Sequence, residues 1–400
     1  MRTLVLVWLA MAACGGKSEQ AKSGVTRITY DVDLERAVED YGVTIQRDIE
    51  FGVPGTKVSI GATGAITAVP SDPSKAAELR RTLQGDYGDQ ITPRDCPPDA
   101  ATGAVCFAIE AKYADSVRQS ALAMAAKTVA LRLEEMKLSA TAVPKGQQIV
   151  VELRGSSAEM LAAMRKLLPR SGVLEFKPVD DGTDLMKRVF QKVGSDNFEG
   201  KPTDPEALAA GISGGIDQWS TEDTGESHSD FYLRGPQRDS LERYFARLAV
   251  ADPTLAIPHD RVLGFQLLAP ERAGDKPLWR SYLLERNVAI SGAAVSDAKL
   301  VFDPNTNQPL VLLDFNRYGT QILGDVTTRI TGRKLAILLD GTVKSAPIIN
   351  SPIRGGRASI AMGGTDPVAQ EQEAKDLGLV LRSGALPAPL REAAVDVLPE

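Results

Sequence analysis

From residue 105 onward the apolar positions change period in a regular way. Val105, Phe107 and Ile109 alternate with their neighbours, as the covered side of a half-buried strand does. Leu122, Ala126, Val129, Leu133 and Met136 then recur three or four residues apart, which predicts a long helix with one buried face. Alternation returns over Ala140 to Val143 and Ile149 to Leu153, two strands around a Lys145-Gly146 turn. Ser156-Ser157-Ala158-Glu159 reads as a capping box, with Leu161, Met164, Leu167 and Leu168 as the apolar stripe behind it. Val173, Leu174 and Phe176 supply a last strand. The order is βαββαβ, a split-βαβ or ferredoxin-like unit.

A looser copy precedes it. Ile28, Tyr30 and Val32 give a strand, Leu34 to Ile49 a helix, and Val58 to Val69 a hairpin around Gly64. Asp72-Pro73 opens a second helix over Ala76 to Leu83. Between about 180 and 280 the pattern is harder to read. Leu241, Tyr244, Phe245 and Leu248 mark an amphipathic helix, Val262 to Leu268 a buried strand, and Ser220 to Ser229 a polar loop.

The last hundred residues are the most distinctive. Phe302-Asp303-Pro304-Asn305-Thr306 leads into an apolar strand, Leu310 to Phe315, and a helical segment with Gly319 and Thr327 follows. Next come Gly332-Arg333-Lys334, the run Leu335 to Leu339, the Asp340-Gly341 turn, Ser345-Ala346-Pro347-Ile348-Ile349 and Gly355-Gly356. Leu379-Val380-Leu381-Arg382-Ser383-Gly384-Ala385-Leu386-Pro387-Ala388-Pro389-Leu390 closes the series. This succession resembles SecD, the bacterial export-translocase subunit, in its large periplasmic domain. Leu131-Arg132-Leu133, Gln148 to Gly155 and Gly172 to Phe176 carry the resemblance into the earlier half. The chain departs from the family at Met136-Lys137-Leu138, where a Leu-Gly-Val turn is usual.

The resemblance implies an α+β protein: tandem ferredoxin-like (βαββαβ) base units plus an α+β head subdomain. The expected base covers residues 26–178, a family-specific insertion 179–280, the head 281–365, a helix returning to the base 366–392, and a tail 393–400. In the family the stretch ending at Leu390 leads into membrane helices, whereas here ten residues follow it. A spanning helix needs about 20 apolar residues, and the longest apolar run is Leu4 to Cys14.

That run follows Arg2 and ends in small residues, so residues 1–13 are expected to be a cleaved signal peptide. Leu9-Ala10-Met11-Ala12-Ala13-Cys14-Gly15 also resembles a lipoprotein lipobox, which makes Cys14 the expected lipidation site and residues 14–25 a tether. Export in turn makes Cys96 and Cys106 an expected disulfide; two reduced thiols are the alternative.

Composition narrows the function. A net charge of −6 with no Lys/Arg block excludes nucleic acid as the main partner. The two histidines, His228 and His259, sit in polar surroundings, and no nucleophile elbow, phosphate loop or metal spacing occurs. Gly211 to Gly215 lacks the Lys and the spacing of a phosphate cradle. No enzyme activity, cofactor or metal is expected. The resemblance implies instead a component at the periplasmic face of the cell envelope whose partners are unfolded secretory polypeptide or Sec translocase subunits, and the lipobox-like motif implies that it is lipid-anchored at Cys14. Phe315 and Ile348 are the positions expected to meet polypeptide. The other class of function is an envelope lipoprotein reusing the fold as a scaffold.

Overall fold

The computed structural model of the protein describes residues 24–53, 55–61, 64–155, 157–194, 204–221, 225–268, 276–304, 306–362 and 366–398. Cys14 and the N-terminal signal and lipobox expected before it lie outside these residues. The first part of the chain runs β1 (Val25–Val32), α1 (Leu34–Gly52), β2 (Lys57–Gly61), β3 (Ala65–Val69), α2 (Ala76–Tyr87), β4 (Ile91–Pro93) and β5 (Val105–Ile109). It continues through α3 (Ala111–Glu135), β6 (Ala140–Lys145), β7 (Gln148–Arg154), α4 (Ala158–Leu167) and β8 (Leu174–Pro178). The middle holds α5 (Leu185–Val193), α6 (Pro205–Ala209), β9 (Ser213–Ser220), β10 (Ser227–Gly235), α7 (Arg238–Ala251), β11 (Arg261–Leu268) and β12 (Leu278–Glu285). The remainder comprises β13 (Ile290–Ser291), β14 (Val295–Phe302), β15 (Pro309–Phe315), α8 (Arg317–Arg329), β16 (Leu335–Leu339), β17 (Thr342–Ser345), β18 (Arg357–Ala361), α9 (Pro367–Ser383) and β19 (Leu390–Leu398).

Local chemistry sets many of the boundaries. The Asp33, Glu110 and Asn316 side chains each accept a hydrogen bond from a first-turn amide of α1, α3 and α8. Pro367 occupies the first turn of α9 behind the Asp366 cap. Asp340 and Gly341 both take positive φ, 51° and 72°, which makes the two-residue turn that a right-twisted hairpin needs between β16 and β17. At α4 the expected capping box shifts by one. Ser156 lies outside the described residues; the Ser157 hydroxyl accepts the Met160 amide at 3.2 Å, so Glu159 falls one place too early to reach back to Ser157.

The two runs expected as βαββαβ units form two four-stranded sheets, and the first strand of each run lies in the sheet of the other. One sheet has the order β19-β1-β7-β6, the second β2-β3-β5-β4, and every pairing is antiparallel. Helices α3 and α4 cover the first sheet, burying Ala125, Val129, Leu133 and Met164 against Ile28, Tyr30, Ile149 and Val151. Helices α1 and α2 cover the second, burying Val38, Ile45 and Leu79 against Ile66 and Phe107. Strand β1 therefore feeds a helix of the second unit, and β5 feeds a helix of the first. The strand expected at Val173 to Phe176 forms as β8, yet it pairs with β16 and β13 in the head. Its place in the first sheet is filled by β19, from the far end of the chain. Alternation announces a strand with one covered face; it carries no information about which neighbour is taken.

Cys96 and Cys106 are joined in a disulfide across the segment entering β5, and Cys106 is fully buried. Closing so short a loop contributes roughly 3 kcal/mol on the chain-entropy account.

The head combines sheet β13-β8-β16-β17 with sheet β14-β15-β18. Helices α8 and α9 share with them one core that includes Phe176, Val311, Leu313, Leu323, Ile337 and Leu377. The middle of the chain forms its own unit, sheet β11-β12-β10-β9 packed on α5, α6 and α7 around Leu233, Leu241, Phe245 and Leu283. The expected amphipathic helix and buried strand are α7 and β11. This unit joins the head through Val179, Tyr282, Leu284, Leu338 and Val343.

Candidate binding site at the base–head junction

Two short segments connect base and head: residues 168–173, after α4, and 384–389, after α9. They touch each other, since the Leu386 amide donates to the Ser171 carbonyl at 2.7 Å. Beside them an apolar groove of about 370 Å³ opens to solvent. Val173, Leu174, Val288, Val295, Leu381 and Ala385 line it. Gly172 stands at its rim with φ 75°, where a Cβ would meet the Val380 side chain at 2.7 Å. No charged tip but Glu175 lies along the groove, so it favours an apolar, extended occupant.

The floor behind the groove is held by Arg132. This arginine of α3 is fully buried, and its guanidinium reaches both connecting segments. One terminal nitrogen donates to the carbonyls of Leu167, at 3.1 Å, of Leu168, at 2.7 Å, and of Arg170. The other donates to the Gly384 carbonyl at 3.0 Å, and Nε donates to the Ser383 hydroxyl at 3.2 Å. All of these acceptors are neutral. Burial accordingly lowers the pKa of the guanidinium to about 10, with the more distant Asp340 opposing the shift. Around it, Leu167, Leu379 and Val380 pack together, Lys166 pairs with the nearly buried Asp376 at 2.6 Å, and Arg382 pairs with Glu135 at 2.6 Å.

A second polar cluster ties the middle unit to the head. Lys334 and Arg280 both bridge Asp217 and Asp230, with all four contacts at 2.6–2.7 Å. Arg280 lies 3.8 Å from the Tyr232 ring centre and 4.5 Å from that of Tyr282, while Lys334 faces Trp219. Burial pushes the Asp217 carboxyl up, but the hydrogen bonds from Arg280 and Lys334 outweigh it and hold the group below its ordinary range. Only Asp217 retains real solvent contact, which makes the cluster a structural tie rather than an open site. Among the described residues no group of three or more His, Cys, Asp and Glu side chains could hold a metal ion.

The two positions expected to meet polypeptide fall elsewhere. Phe315 is 8% exposed and packs its ring 5.6 Å from that of Phe176, inside the head core. Ile348 is half-buried and bridges to Lys334. The structure does not bring these two positions to the groove. The sequence marked Arg132 only as part of the Leu131-Arg132-Leu133 resemblance and gave it no role, although it falls between Val129 and Met136 on the buried stripe of α3, where a charge is out of place.

Residues 267–388 match the family described as SecDF, P1 head subdomain. Over this stretch the chain is similar to the SecDF P1 head. SecD of Desulfurispirillum indicum is 27% identical over 374 residues, an alignment that covers 92% of this chain and 58% of that protein. SecD of Rickettsia prowazekii is 41% identical over 109 residues, 27% of this chain and 20% of that protein. The SecD-like chain thus spans little more than half the length of the first of these relatives. A solved structure of SecDF, described as a membrane component that enhances protein export, shares 26% identity at a TM-score of 0.41, covering 69% of this chain and 93% of that one. The family match over residues 267–388 falls on the distinctive motifs of the last part of the chain. Among the described residues no helix is long and apolar enough to cross a membrane.

Proposed function

We propose that this SecD-like chain works in protein export as a binding component at the periplasmic face, taking extended polypeptide or a translocase subunit without transducing energy. The observation that carries it is the match of residues 267–388 to the SecDF P1 head. The apolar groove at Val173, Val288 and Leu381 supplies a surface suited to an unfolded apolar segment. Energy transduction in a membrane transporter uses ionisable groups inside the bilayer, so binding and holding is the role assigned to the residues described. Photocrosslinkers placed in cells at Val173 and Leu381 are expected to trap exported chains or translocase subunits. Crosslinkers at the buried Phe315 should trap few. Capture of unrelated envelope proteins alone from the groove positions would favour the scaffold function.

Anchoring by Cys14 belongs to the same proposal. The mature N-terminus should be a diacylglyceryl Cys14, since one acyl chain alone holds a protein only weakly on a bilayer. Mass spectrometry of the mature terminus checks this, and Cys14→Ser should release the protein from the membrane fraction. An unacylated terminus, or a membrane-bound Cys14→Ser protein, would exclude the anchor.

A further inference from the structure

Arg132 is a full positive charge buried without a carboxylate in contact, a costly arrangement that must be offset by its hydrogen bonds. Those bonds are not spread over one element. They divide between the two segments that carry the chain from base to head and back: the carbonyls of 167, 168 and 170 on one side, Ser383 and Gly384 on the other. Only a planar fork with five donors reaches both sides at once. The segments are also bonded to each other through Leu386 and Ser171, and Gly172 lacks a Cβ just where Val380 and the guanidinium close in. Neither segment can shift without breaking bonds that hold the other.

We propose that Arg132 is a positioning residue that clasps both base–head connections, so that the head is fixed on the base by one cooperative lock. This goes beyond the proposed function and does not depend on it. With the clasp in place the two connections loosen together or not at all. With the clasp gone, the base sheet and the head core each remain closed through their own strands and helices, while Leu168, Leu386 and Ala388 of the two segments lose their seat on the base core.

Amide hydrogen exchange on the full chain tests this. Arg132→Met is expected to speed exchange by more than about ten-fold at residues 168–174 and 383–388 together, the signature of one sub-global opening. Amides of β7 and β15 should change by less than about three-fold. Arg132→Lys keeps the charge but cannot fork to both sides, so the paired loss should persist. Gly172→Ala approaches from the other side, crowding Val380 and the guanidinium while leaving Arg132 present, and should give the same paired pattern. Faster exchange in only one segment, full protection in Arg132→Lys, or loss spread evenly over β1, β6 and β7 would each overturn the clasp. If Arg132→Met fails to fold, Gly172→Ala alone decides between the paired pattern and these outcomes.

Discussion

Asp230→Leu will lower the stability of the protein by about 3–5 kcal/mol, read as a drop in the denaturant midpoint. Asp230 is 4% exposed and accepts from Arg280 and Lys334, both of them buried as well. Removing it leaves two buried cations sharing the single carboxylate of Asp217, and the cost is that of the uncompensated charge rather than of the lost contact. The double variant Asp230→Leu with Lys334→Met restores charge balance around Arg280 and Asp217. It should recover at least half of the loss. A double variant no better than Asp230→Leu alone would show that packing, not charge, sets the cost. Because the cluster spans β9, β10, β12 and the start of β16, the weakened state should lose the middle unit's attachment to the head first.

Phe176→Ala should cost a similar amount, about 3–5 kcal/mol. Phe176 is fully buried on β8 and packs against Phe315 on β15. Although β8 follows the base in sequence, its side chains fill the head core, so the damage is expected in the head. Exchange should rise in α8, β15 and β16 while β1 and β7 stay protected. Loss of protection in the base instead would mean that β8 supports the base sheet, contrary to its pairing. Phe315→Ala should cost less than Phe176→Ala, because Phe315 keeps some contact with solvent.

Elements were legible wherever one face of the chain is covered and the other is wet. The stripes of α3 and α4, the Asp340-Gly341 turn and the alternation of β7 follow from period and turn chemistry, and the folded chain has them in those places. The turn expected at Lys145-Gly146 falls one residue later, at Gly146-Gln147, because Lys145 still pairs with Gln148. Partner choice was not legible. Nothing within β1 or β5 says that each joins the sheet of the other unit. The departure from the family at Met136-Lys137-Leu138 acquires a physical reason. Lys137 has φ 56°, and the Leu138 amide donates to the Leu133 carbonyl, so α3 ends in a left-handed turn that glycine would enter more easily. The junction site escaped the sequence because it is made by convergence. Arg132 lies more than 250 residues from Ser383 and Gly384 along the chain; all three fall in motifs that carry the resemblance, but nothing in those motifs says that they meet.

The pairing of β1 with β19 aligns Val25 with Leu398, and this has a kinetic meaning. Contacts between distant parts of a chain require a large loop to close before any bond is gained, which slows folding. The second sheet needs nothing beyond β5 and can close early on α1 and α2. The first must hold β1 exposed on one side until the head and middle unit have been made and β19 arrives. A chain emerging N-terminus first therefore begins its base with its first strand and finishes it with its last.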